Sequence, residues 1–295
     1  MKKIKKYKFN LIITLCIIFL FAFSLRTHGV ELNNNIKINK SELKQGDILI
    51  IKVPQNQSVQ KIIFNQTEYT LKNLDDDQVA FIPISYWTSA GDYTLTLKTA
   101  TNNITTNIKV ISGKFNNSYI EVDTEKEKLV RPQDEKTVKR KKEDQKLIRQ
   151  ARRQSFDQKL FTTSFQWPVE GTISTEFGAT RYVNDKIQSR HSGIDIACEK
   201  GTPIFAANKG VVKLAKNLLV TGNTIIIDHG WEIFSSYSHL ERISVKKGDE
   251  VKKGQKIGEV GSTGFSTGPH LHWTITVGSV FVSPHSFIED NLIDF

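Results

Sequence analysis

The sequence predicts an all-β protein: an N-terminal immunoglobulin-like β-sandwich, a charged helical linker, and a C-terminal domain of β-sheet. Three observations predict it. Between residues 30 and 114, short apolar alternations such as "DILIIKV", "VQKIIF", "QVAFIPI" and "DYTLTLKT" recur with Asn, Gly and Asp between them, the rhythm of a small sandwich. Between residues 164 and 295, the runs "GVVKLAK", "NTIIIDHG", "IFSSYSHL" and "HLHWTITV" alternate with glycine-rich turns, and no amphipathic helix of three turns interrupts them. Only residues 115–163 read as helical, with a thin apolar face.

Residues 1–29 stand apart. The lysine-rich start "MKKIKKYK" precedes an uncharged run of 17 residues, "FNLIITLCIIFLFAFSL", the pattern of a signal peptide or a short N-terminal membrane anchor. Ala22 and Ser24 form a small-x-small pattern suited to cleavage after Ser24. The expectation is an exported protein of the periplasm or cell envelope whose only membrane contact is this segment. Cys16 lies inside the run, so Cys198 is alone and no intramolecular disulfide is expected.

The net charge of +10 is concentrated: five lysines lie at positions 2 to 8, and residues 125–160 hold 13 Lys/Arg against 7 Asp/Glu. The remainder is close to neutral, which argues against a nucleic-acid-binding surface. Residues 30–114 contain neither histidine nor cysteine, and read as a spacer or a substrate-positioning module. In the linker, Pro132 with Asp134 and Glu135 suits a helix start, and Leu147, Ile148 and Ala151 form its apolar cluster. A charge run of this kind reads as a solvated helix.

Five of the seven histidines lie between residues 191 and 272. In "RHSGIDIA" an extended chain would hold His191 and Asp195 about 13 Å apart, so sharing one ion requires a turn at Ser192 and Gly193, which Gly193 permits. In "HLHW" the spacing of two puts His270 and His272 on one face of a strand, about 6–7 Å apart, with Leu271 against the core. His239 in "YSHLE" is a further candidate at a strand end. A catalytic zinc keeps three nitrogen or oxygen ligands and an open position, whereas structural zinc closes four, often with cysteines. His191, Asp195, His239, His270 and His272 exceed what three-ligand zinc needs, and the surplus points to catalysis.

At this point the motifs match a family. "HSGIDIACEKGTPIFAANKGVV", "IIIDHGWEIFSSYSHL" and "VKKGDEVKKGQKIGEVGSTGFSTGPHLHW" resemble, in order and spacing, the lysostaphin-type (LytM-like) zinc endopeptidases, which cut peptide stems and bridges of bacterial peptidoglycan. The resemblance implies one Zn2+ in the domain, held by His191, Asp195 and His272, with His239 and His270 as the catalytic pair. It also implies that Tyr182 and Asn184 line the substrate cleft. His229 in "IDHG" and His285 in "SPHSF" are expected to be structural and surface residues. The same strand pattern resembles biotinyl and lipoyl carrier domains, but the modified-lysine hairpin of such carriers is missing. The resemblance implies an endopeptidase, with a non-catalytic peptidoglycan-binding or hydrolase-regulating envelope protein as the competing reading. Residues preceding the catalytic domain carry no chemistry and are expected to cover the site, an autoinhibitory role.

Overall fold

The run "DILIIKV" lacks the polar alternation of a half-exposed strand, and its strand Ile48–Pro54 is buried on both faces. Leu49, Ile51 and Val53 fill the core of the N-terminal sandwich, while Ile48 and Ile50 belong to the core of the C-terminal sheet. Phe81, on the neighbouring strand Asp77–Pro83, meets Trp231 with ring centroids 6.0 Å apart. The two β regions therefore share an apolar contact. These features come from a computed structural model that describes residues 29–32, 35–162, 164–288, 292–293 and 295. The apolar run expected to be a signal peptide or anchor lies outside the described residues, among which no helix is long and apolar enough to cross a membrane.

The protein is all-β, as its patterning predicts. Two five-stranded sheets form the N-terminal sandwich, packed over Ile36, Leu43, Ile62, Leu95, Leu97 and Ile108 among others. A ten-stranded antiparallel sheet has as its middle strands Ile194–Ala197, His270–Val277, Ile233–Ile243, Gly222–Asp228 and Gly210–Leu218, in that order. In His270–Val277 the side chains of Leu271, Trp273, Ile275 and Val277 enter the core, so His270, His272, Thr274 and Thr276 share the opposite face.

The linker differs from a solvated helix in two ways. Its first residues form the strand Asn117–Ile120, which pairs in parallel with Thr180–Val183; Lys186–Arg190 completes a three-stranded sheet. The helices Thr124–Val130 and Glu135–Ala151 follow, capped by the side chains of Asp123 and Asp134, which accept from the Lys126 and Thr137 amides. The second helix starts where the Pro132–Glu135 signal places it. Leu147, Ile148 and Ala151 are not a solvated stripe: they dock on Leu214, Leu218, Ile226 and Phe234 of the sheet.

Candidate active site

The turn required at Ser192 and Gly193 is present. A Cβ on Gly193 would lie 2.1 Å from the Trp273 carbonyl oxygen, so only glycine allows the two strands to approach this closely. The turn carries His191 Nε2 to 2.9 Å from Asp195 Oδ1. Strand pairing then sets Asp195 opposite His272, whose Nδ1 lies 2.6 Å from the same oxygen and 3.0 Å from His191 Nε2. All three residues are buried, at 2%, 6% and 8% exposure for His191, Asp195 and His272.

Neighbours fix the orientation of each group. His191 Nδ1–H donates to the Glu176 carbonyl at 2.8 Å, which leaves the Nε2 lone pair facing the cluster. Arg181 Nη2 donates to Asp195 Oδ2 at 2.8 Å and turns Oδ1 toward the histidines. Two imidazole nitrogens and a carboxylate oxygen thus converge within a small volume. Converging lone pairs repel unless a proton or a cation lies between them, so the residues fit a divalent metal ion.

His239 adopts φ +65° inside its strand, a left-handed conformation rare for a residue with a side chain. Its amide donates to Thr221 O at 2.9 Å and its Nδ1–H to Thr263 O at 2.7 Å. The ring then stands 4.8 Å from that of His270 and 6.0 Å from that of His272, between centroids. His270 Nδ1–H donates to Gly268 O at 2.9 Å, and its Nε2 lies 3.7 Å from Asp195 Oδ1. The structure thus brings together all five residues: His191, Asp195, His239, His270 and His272.

Tyr182 and Asn184 do not join them. Asn184 is a turn residue with φ +47°; its amide group pairs with the Val122 backbone in both directions and donates to Glu127 Oε2 at 2.9 Å. Asn184 thus anchors the linker to the turn before Lys186–Arg190. Tyr182 stacks on Tyr119 at 4.9 Å between centroids, so its ring is committed to the linker strand as well. Sequence reasoning missed Arg181, Glu176, Thr263 and Gly268. Three of these act through backbone carbonyls, which have no signature in a sequence.

Burial shapes the titration. It would raise the Asp195 carboxyl, but the adjoining His191 and His272 rings outweigh it and hold the group well below the usual carboxylate range. Burial lowers His272 to about 4 and His239 to about 3. It also lowers His229 to about 4; this histidine donates to Lys209 O and lies 2.7 Å from Ser235 Oγ, a structural role. These histidines are neutral in the folded protein and charge on unfolding below about pH 6.5. Stability of the metal-free protein is therefore expected to be full above that pH. It should fall as pH drops toward 4, by about 1.4 kcal/mol per pH unit for each histidine. Urea midpoints compared at about pH 7.5 and 5 check this; equal midpoints would contradict it.

Residues 189–284 match the profile described as Peptidase family M23. The C-terminal domain belongs to peptidase family M23. The M23 region is 40% identical, over 115 residues, to the peptidoglycan DD-endopeptidase ShyA of Vibrio cholerae serotype O1; the alignment covers 38% of this chain and 27% of the relative. It is 38% identical over 127 residues to the murein hydrolase activator NlpD of Escherichia coli, covering 43% of this chain and 31% of that protein. The chain thus spans less than a third of either relative. A crystal structure of a putative peptidase M23 from Pseudomonas aeruginosa aligns with TM-score 0.62 and 26% identity, over 83% of this chain and 94% of that one. The shared fold therefore extends beyond the M23 domain.

Proposed function

We propose that the chain is a zinc-dependent endopeptidase that hydrolyses peptide cross-links of bacterial peptidoglycan in the cell envelope. The convergence of His191 Nε2, Asp195 Oδ1 and His272 Nδ1, each buried and two of them oriented from outside, carries the reading. Two nitrogens and one oxygen are the donor set of a catalytic zinc with an open position. When bound, zinc supplies Lewis acidity and lowers the pKa of its water toward ~7. The match to M23 relatives named as peptidoglycan DD-endopeptidases supports the substrate.

The chain's own residues then divide the remaining work. His270, with Nδ1–H held by Gly268 O, presents Nε2 beside Asp195 and takes a proton from the attacking water. His239, kept neutral by burial and fixed by Thr263, presents its remaining nitrogen as an acceptor that orients the reacting groups.

The linker supports a regulatory reading. Lys126 Nζ donates to Ser266 O at 2.7 Å, and Ser266 Oγ lies 3.3 Å from His270 Nδ1. Arg131 donates to the carbonyls of Val183 and Lys186. The helix Thr124–Val130 is thereby strapped across the rim of the site, and we read it as an autoinhibitory cover.

The match to an M23 relative named as a hydrolase activator favours the non-catalytic alternative. Zinc content of the purified protein and mass spectrometry of products from defined muropeptides separate the two. The enzyme reading expects about one zinc per chain and new peptide ends. Zinc without new ends, in the intact protein and in a variant with the strap contacts removed, would leave a binding or regulatory protein.

A further inference from the structure

The helix Glu135–Ala151 docks by one side only. Leu147, Ile148 and Ala151 face the sheet, and two of its cations are used near that side: Lys141 donates to the Val130 carbonyl and Arg140 to Asn217 Oδ1. At about 100° per residue, Lys136, Lys139, Lys142, Lys146 and Arg149 fall on a single stripe on the side away from the sheet, and all five are exposed. The stripe is about 20 Å long at 1.5 Å per residue.

Its charge is unbalanced. None of the five side chains has a hydrogen bond or an ion pair among the described residues. Of the carboxylates on the helix, Asp144 reaches toward Arg140 and takes the Leu219 amide, while Glu135 and Glu143 pair with none of the five. Successive members of the stripe stand three or four residues apart, the spacing at which like charges on a helix repel. The basic excess of residues 125–160 is thus presented in a line on one outward face, where the helix itself gains nothing from it.

The chemistry of a matching partner follows from this pattern. Four of the five are lysines, compact point charges that suit phosphate oxygens, whereas planar recognition of carboxylates favours arginine forks. The cations repeat along a line, so the anions must repeat along a chain. A lipid surface lacks its usual foothold: helices that lie on bilayers bury an apolar face in the acyl boundary. Here that face is already against the sheet, and none of the exposed large hydrophobic side chains lies on this helix.

We propose that the outward face of the helix Glu135–Ala151 is a docking surface for a linear polyanion whose charges are phosphates. Because the helix is seated on the sheet, a polymer bound there holds the whole M23 domain. The surface lies apart from the metal cluster, so the inference goes beyond the endopeptidase reading and does not depend on it.

Long-chain inorganic polyphosphate, labelled at one end and titrated with the intact protein by fluorescence anisotropy, tests this. Affinity is expected to fall ~100-fold between about 50 and 200 mM salt, the counterion release of five phosphate contacts on a flexible chain. Lys139→Gln/Lys142→Gln/Lys146→Gln should bind at least ~10-fold more weakly at the lower salt and lose roughly three fifths of the salt slope. Its urea midpoint should not fall, since glutamine is a comparable helix former. The disjoint pair Lys136→Gln/Arg149→Gln should also weaken binding, so that a folding defect in one variant cannot decide the result. Lys246→Gln/Lys247→Gln/Lys252→Gln removes the same charge from exposed positions elsewhere on the M23 domain and should bind as the wild type does. Absence of binding, or wild-type affinity in both stripe variants, overturns the proposal and leaves a solvated helix. An equal loss in the control variant overturns it in favour of a general attraction to net charge. Vesicles of phosphatidylglycerol and phosphatidylcholine that bind as tightly per phosphate as the polyphosphate overturn it in favour of a membrane surface.

Discussion

Asp195→Ala is expected to lose the metal and at least ~10³-fold of hydrolysis, since the several kcal/mol of charge stabilisation a metal supplies would go with it. The same change should destabilise the fold. Asp195 stands opposite His272 in the register, accepts from Arg181, and closes the cluster with His191. Without it the Arg181 guanidinium, already missing an acceptor at Nε, is left as an unpaired, largely buried cation, a cost of about 3–5 kcal/mol. Asp195→Asn keeps the shape and one acceptor oxygen, so it should fold better while still losing zinc. His270→Ala provides the contrast: its ring is not among the converging ligand atoms, so zinc should stay while hydrolysis falls by ~10²–10⁴, the range for a lost general base. Zinc content, urea midpoints and release of peptide ends measure the three effects independently. An Asp195→Ala protein that still holds one zinc, or a His270→Ala protein that cleaves at the normal rate, would reject the assignment of roles.

How far the sequence reveals this site depends on which kind of atom does the work. "HLHW" is legible because a strand's period of two places both imidazoles on one face and Leu271 in the core, where it lies. "RHSGID" is legible once Gly193 is seen as the residue that lets the chain fold back. Glu176, Thr263 and Gly268 are not, because they contribute carbonyl oxygens that every residue type possesses. Arg181 is hidden by distance along the chain, and its partnership with Asp195 exists only after the strand Thr180–Val183 has been placed. The linker misleads for a different reason. Its charge density suggests solvent, yet Leu147, Ile148 and Ala151 dock on the sheet, and "NSYI" pairs as a strand through backbone groups without an apolar period. Asn184's part in holding the linker is hidden for the same reason as Arg181's: its bonds to Val122 and Glu127 join residues about 60 positions apart.

That linker is the basis of the second large effect: Lys126→Ala combined with Arg131→Ala should raise the hydrolysis rate of the intact chain by up to ~100-fold. The four-histidine site is nearly closed to solvent, and the strap holding the helix Thr124–Val130 beside it depends on a few cationic hydrogen bonds. Bonds of this kind contribute about 1.5–3 kcal/mol each at most, less where solvent reaches them. Losing about 3 kcal/mol in total shifts a closed-to-open equilibrium roughly 100-fold, since ~1.4 kcal/mol is tenfold. Opening is not free, because Val130 packs with Val183 and Phe265, and this apolar patch keeps the cover seated until enough polar contacts go. The variant should therefore show faster cleavage together with faster proteolysis within residues 115–163, while the urea midpoint of the M23 domain moves little. Neither Lys126 nor Arg131 touches the converging ligand atoms, so a gain in rate cannot come from altered metal binding. If cleavage stayed at the wild-type rate although the strap had become protease-sensitive, the segment would be a structural brace and the autoinhibitory reading would fall.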